Sequence, residues 1–191
     1  MSEIKKNIPI LRFPEFKEEW REKNLKDIAF KKSEKNQDNK INQVLTNSAT
    51  QGVVKQEDYF DNQIANDNNI NGYYIVEKDD FVYNPRISVS APVGPIKKSD
   101  IKGVMSPLYT VFSFKEGNVL FYAHYFDSTK WHNYMKSIAN YGARFDRMNI
   151  TNESFFNLPL PFPSLSEQQK IADFLTSIDK RIQLLKEKKD A

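Results

Sequence analysis

The chain has 191 residues, 39% of them hydrophobic, with fourteen Phe, nine Tyr, two Trp and no Cys. That suffices for one core-forming domain plus an appendage; it is too short for two ordinary domains and too apolar for a disordered chain. Without cysteine there are no disulfides or thiolate metal sites, no apolar run approaches the roughly 20 residues of a bilayer span, and the polar start MSEIKKNIPILRF lacks the apolar core of a signal peptide, so a soluble, cytoplasmic protein with no membrane partner is expected.

In chain order, the sequence predicts a mixed α/β domain of the α+β class. Pro-punctuated extended chain leads into a short helix around Leu25–Phe30, followed by a charged loop over residues 31–40. QVLTNSATQGVV has β-branched residues broken at Gly52, a strand and turn. The Asn-rich stretch NQIANDNNING reads as loop or fraying helix, because Asn and Gly favour turns. YYIVEKDDFVYN reads as two strands around an acidic turn at Glu77–Asp80, and the Pro- and Gly-interrupted RISVSAPVGPIKK as bulged or edge strand. SPLYTVFSFK alternates and is rich in β-branched and aromatic residues, which marks a strand. NVLFYAHYFDSTKWHNYMKSIANY suits two helices broken near Asp127–Ser128, YGARFDRMNI a basic loop, and TNESFFNLPLPFP a short helix leading to a strand.

The last segment is the clearest physical object. Ser166 and Gln169 fit a capping box. Ile171, Ile178 and Leu185 recur every seven residues, with Leu175 and Ile182 in the alternate seam positions, an a/d pattern over about three heptads. A helix of roughly 24 residues reaches about 36 Å, more than a small domain covers with its own surface. Pairing with a helix of a second chain, as a homodimer, is therefore expected.

The formal net charge of +3 is unevenly spread. Residues 1–80 carry 13 Lys/Arg against 15 Asp/Glu, whereas residues 81–149 carry 9 against 4. A basic middle segment suits a polyanion.

Four stretches together resemble one family. LPLPFPSLSEQQKIADFLTSIDKRI resembles the strap and conserved-region helix of type I restriction–modification specificity subunits, and MSPLYTVF the Ser-Pro-x-Tyr strand of their target recognition domains. LRFPEFKEEWREKNLKDI is similar to their N-terminal region and YGARFDRMNIT to the segment before the strap. The resemblance implies a target recognition domain over residues 1–163 and a conserved-region helix over 164–191 that serves as spacer and dimerisation element. It also implies a non-catalytic subunit that reads one half of a bipartite site on double-stranded DNA and binds the modification (methyltransferase) subunit, with a restriction subunit engaged indirectly. No cofactor is expected on this chain: S-adenosylmethionine, and ATP with magnesium, would belong to the partner subunits. Because only one recognition domain and one helix are present, the resemblance is to a half-length form.

Base edges are read by bidentate side chains while Lys and Arg on phosphates set position. Arg86, Arg144 and Arg147 are the candidates for guanine, Asn84 and Asn149 for adenine, and Lys97, Lys98, Lys102, Lys130 and His132 for phosphates. Catalysis is poorly supported. Asp80 with Asp100-Ile101-Lys102 only superficially matches a nuclease carboxylate set, and Asn84-Pro85-Arg86-Ile87 lacks the second Pro and the aromatic of an adenine methyltransferase loop. His124 and His132 have no obvious third metal ligand. Phe121, Tyr122, Tyr125 and Trp131 at helical spacing suit a core better than a base-stacking platform. The rival to DNA reading is a coiled-coil adaptor that binds modification subunits without touching DNA.

Overall fold

A computed structural model of the chain describes residues 9–59, 70–140 and 146–190. Strand β1 (Arg21–Asn24) leads directly into helix α1 (Leu25–Ile28) and then β2 (Ala29–Lys32). The helix expected to reach Phe30 stops at Ile28, because Ala29–Lys32 is claimed by antiparallel pairing with β9 (Thr110–Phe114). That strand pairs on its other side with β6 (Phe81–Tyr83), which in turn pairs with β7 (Ile96–Lys98). The four-stranded antiparallel sheet has the order β2-β9-β6-β7, so the strand interrupted by Pro and Gly does lie at an edge.

The period of two sorts side chains onto the two faces of this sheet. Phe81, Tyr83 and Phe112 point into the larger core, where α1, α3 (Val119–Asp127), α4 (His132–Ile138) and α5 (Asn152–Phe156) contribute Leu25, Phe126, Met135 and Phe155. Phe121, Tyr122 and Trp131 are buried in this core, with exposures of 5%, 0% and 2%, and partly buried Tyr125 packs against it. Val82 and Val111 point to the opposite face and form a smaller core with Leu45, Val76 and Met105. Those residues come from the hairpin of β3 (Leu45–Ser48) and β4 (Gly52–Lys55) and from the pair β5 (Tyr74–Val76) and β8 (Gly103–Met105). A one-turn helix α2 (Gln56–Tyr59) follows β4. Of the Asn-rich stretch, residues 62–69 lie outside the described residues.

Strands β5 and β6 flank the acidic turn as expected but do not pair with each other. The turn instead passes the chain from one layer to the next, and Asp80 anchors it. Its carboxylate is buried at 4% exposure and accepts from the Lys32 ammonium (2.6 Å), the Glu77 amide (2.7 Å) and the Ser113 hydroxyl.

The chain closes through an antiparallel pair between β1 and β10 (Pro159–Phe162), with Lys23 opposite Leu160. Prolines fit there because a two-stranded pair leaves each strand a free edge. Helix α6 (Leu165–Asp190) follows, 26 residues and about 39 Å long. Its cap is Ser164, whose hydroxyl accepts from the Glu167 amide (3.3 Å), rather than the expected Ser166. Ser166 already lies inside the first turn, and Gln169 bonds Asn118 (2.7 Å) and Asp173 (2.8 Å) instead of closing a capping box.

Removing the Asp80 carboxylate leaves the Lys32 ammonium without its buried partner. Asp80→Ala is expected to lower unfolding stability by about 3 kcal/mol, the usual consequence of breaking a buried ion pair. Urea titration followed by tryptophan fluorescence measures it.

Candidate nucleic-acid interface

A cleft of about 560 Å³ opens where the β3–β4 hairpin faces the loops that follow β6 and β8. Its walls carry hydroxyls and amides, among them Thr46, Ser48, Gln56, Ser88, Ser106 and Tyr109, together with Arg86 and Arg147. No carboxylate lines it among the described residues. Such a surface offers donors, acceptors and positive charge to a polyanion. A second cavity, of about 450 Å³ beside the N-terminal segment, is lined by Glu15, Glu18, Glu19 and Glu167 together with Arg12, Lys17 and Arg21, so it offers no net positive charge.

The walls of the first cleft are braced from inside. Asn47, 3% exposed, donates to the carbonyls of Val82 (2.7 Å) and Pro95 (3.2 Å), which locks β3 onto β6 and the approach to β7. The Asn84 amide donates to the Asn47 carbonyl (3.0 Å) and accepts from the Arg86 amide (3.0 Å). Gly94 has φ +78°, and a Cβ there would sit 2.0 Å from the Asn84 carbonyl oxygen, so only glycine allows this approach. Tyr109 reaches across to the Thr46 hydroxyl (3.1 Å).

Of the expected contact residues, the structure gathers Asn84, Arg86 and Arg147 in this cleft. Asn84 serves there as a brace, with one donor and one acceptor engaged by backbone. Arg86 and Arg147 are brought together by a backbone bridge between their segments, reinforced by the Ile87 amide donating to the Asp146 carbonyl (3.0 Å). The Asp146 carboxylate lies 4.0 Å from the Arg86 guanidinium and 3.6 Å from that of Arg147, too far for hydrogen bonds but close enough to pre-orient both. Arg144 lies outside the described residues.

The other candidates lie elsewhere. Lys97 is paired with Asp127 (2.5 Å), Lys98 with Asp79 (3.3 Å) and Asp100, and Lys102 with Glu77 (2.7 Å). Lys130 is exposed in the α3–α4 connection, and Asn149 is exposed in a bridge to Asn140. His132 packs edge-on against Trp131, and burial followed by repulsion from Lys136 pushes its pKa below the ordinary histidine value. The hydroxyl and amide groups of the cleft escaped sequence reasoning because Ser, Thr and Gln carry no charge signal. The clustering of Ser88, Ser90 and Pro95 in one loop was the available hint.

Along α6, Ile171 packs against the large core and Leu175 is half-buried. His124 on α3 bonds the Thr176 hydroxyl (3.2 Å) and faces Asp179 at 3.7 Å. Beyond that level the apolar stripe is open, with Ile178 38%, Ile182 44% and Leu185 60% exposed. The expected seam thus divides: its first two positions serve the domain and its last three face outward.

The model of the type I restriction modification DNA specificity domain matches residues 17–191, so the chain belongs to that family. Solved structures share the fold at low identity. One, reported for complex assembly and conformational transition of the type I R-M system, is 12% identical with a TM-score of 0.63, covering 94% of this chain and 46% of the other. The HsdS subunit from Thermoanaerobacter tengcongensis is 12% identical with a TM-score of 0.60, covering 87% and 43%. The type I system S subunit from M. genitalium is 13% identical with a TM-score of 0.57, covering 95% and 44%. The chain spans a little under half the length of each of these structures. Comparison with curated protein sequences gives no significant match.

If the cleft receives DNA, its arginines dominate the electrostatic part of binding. Arg86→Ala with Arg147→Ala should weaken DNA binding by at least about tenfold and flatten the salt dependence by about 0.9 per lost phosphate contact. Lys97→Ala, whose ammonium is already paired, should change affinity less than about twofold. Fluorescence anisotropy over a sodium chloride series separates the two.

Proposed function

We propose that the chain is the sequence-reading part of a type I restriction–modification system, taking one half of a bipartite DNA site in the cleft between the β3–β4 hairpin and the Arg86–Arg147 pair. The observation that carries this reading is a braced cleft rich in hydroxyls and amides with two adjacent arginines, in a chain of the DNA specificity family. The chain performs no chemistry itself: the modification subunit supplies S-adenosylmethionine and methylates adenine, and ATP-dependent steps belong to a restriction subunit that joins indirectly.

Helix α6 then acts as spacer and clip. Its outward stripe of Ile178, Ile182 and Leu185 pairs with the same stripe of a second copy, so that two recognition domains stand apart on the DNA. Two identical reading domains related by a twofold axis require a gapped palindrome as target. An adaptor that merely holds modification subunits would leave DNA methylation without any motif.

The decisive experiment co-expresses the chain with a cognate modification subunit and maps N6-methyladenine over a DNA library. A gapped palindromic motif is the expected outcome, and formation of the complex without any methylated motif overturns the reading. For the helix, Ile178→Asp with Ile182→Asp should convert the sedimenting species to a monomer while the circular dichroism of the folded domain persists. Unchanged sedimentation as a dimer rules out this seam.

A further inference from the structure

Two of the most exposed apolar residues stand at the cleft. Val89, 104% exposed, tips the turn between Ser88 and Ser90, and Leu108, 61% exposed, tips the turn between β8 and β9. Ser88, Ser90 and Leu108 themselves line the cleft. Neither exposure comes from a loose loop. In the first turn the Ser88 and Ala91 backbones bond each other in both directions (3.0 and 3.2 Å), the Ser88 hydroxyl accepts from the Ala91 amide (3.1 Å), and the Gly94 amide donates to the Ala91 carbonyl (3.0 Å). In the second the Tyr109 amide donates to the Ser106 carbonyl (3.0 Å), and the Tyr109 side chain is tied to Thr46.

A braced turn that presents a branched aliphatic side chain to water does nothing for stability, and the two tips flank a wall that carries Arg86 and Arg147. A duplex in the cleft supplies what each tip lacks. The major groove holds one apolar feature, the C5-methyl group of thymine, which aliphatic side chains contact and which no other DNA base carries. Resting on the reading of the cleft given above, we propose that Val89 and Leu108 are specificity-determining residues that contact thymine methyl groups in the half-site, while Arg86 and Arg147 hold the adjoining backbone or guanine edges.

The full chain with its modification subunit provides the test. Once the methylated motif is mapped, each thymine of the half-site is replaced in turn by deoxyuracil, which removes only the methyl group. Wild-type affinity is expected to fall about fourfold at one or two positions, the factor for burying a single methyl group. Leu108→Ala or Val89→Ser should lose a similar factor on thymine-containing DNA and become insensitive to uracil at its own position. Both positions are exposed, so the variants retain the fold.

A half-site without thymine, or variants that keep the full uracil sensitivity, would overturn the proposal while leaving DNA reading by the cleft intact. Loss of a 2-aminopurine unstacking signal in Leu108→Ala, with uracil sensitivity unchanged, would overturn it in favour of a wedge between base steps. Absence of any methylated motif in the wild-type complex would overturn both this proposal and the function on which it rests.

Discussion

Everything the chain can present to a partner depends on how its two distant ends are tied together around Glu167. This carboxylate, 1% exposed, receives both nitrogens of the Arg12 fork at 2.7 Å and the Trp20 indole at 3.0 Å. Such a bidentate, charge-assisted contact fixes direction as well as distance. Directly beside it, β1 pairs with β10, and Lys23 lies 3.8 Å over the Phe162 ring. Phe13 packs edge-on against Phe174 about two turns further along α6. The helix therefore leaves the domain already oriented: its first turn is part of the fold, and the direction of the remaining turns follows from it.

The central sheet solves a second problem, that of supporting two different surfaces at once. Its Phe-rich face carries the helices that seat α6, and its Val-rich face carries the hairpin that walls the cleft. With Phe81 and Val82 adjacent on one strand, a shift of register by one residue would exchange the faces and empty both cores. Asp80, immediately before Phe81, is positioned to prevent that shift, since its carboxylate is held by groups from β2, β9 and its own turn. The same pin thus sets the register that places α3 under α6 and the one that places Asn47 under the cleft.

How legible was this from the sequence? Where one periodicity runs unopposed, it was read correctly: β9 and the break between α3 and α4 lie where alternation and helical spacing placed them. Where two physical preferences compete, the tertiary one prevailed. Phe30 has neighbours that favour a helix, but pairing with β9 took it into a strand. Ser166 satisfied a capping pattern, but Ser164 stands where the strap ends, and the turn forms on it. The cleft was less visible still. Charge counting located its two arginines but could not tell them from Lys97, Lys98 and Lys102, since that distinction depends on carboxylates from other parts of the chain, Asp127, Asp79 and Glu77.

That distribution of carboxylates carries a further consequence for recognition. A lysine already paired with a carboxylate must give up that pair to contact phosphate, so its net contribution to binding is small. The two arginines face a milder competitor in Asp146, exposed and just beyond hydrogen-bond distance from each. Their planar forks are held near one orientation without being spent. Within the basic middle segment three lysines are thus engaged by carboxylates, whereas the arginine pair stands beside fixed hydroxyls, amides and two aliphatic tips. Suppressing charge elsewhere lowers sequence-independent affinity more than it lowers affinity for a fitted site, and it is this difference that a specificity domain requires.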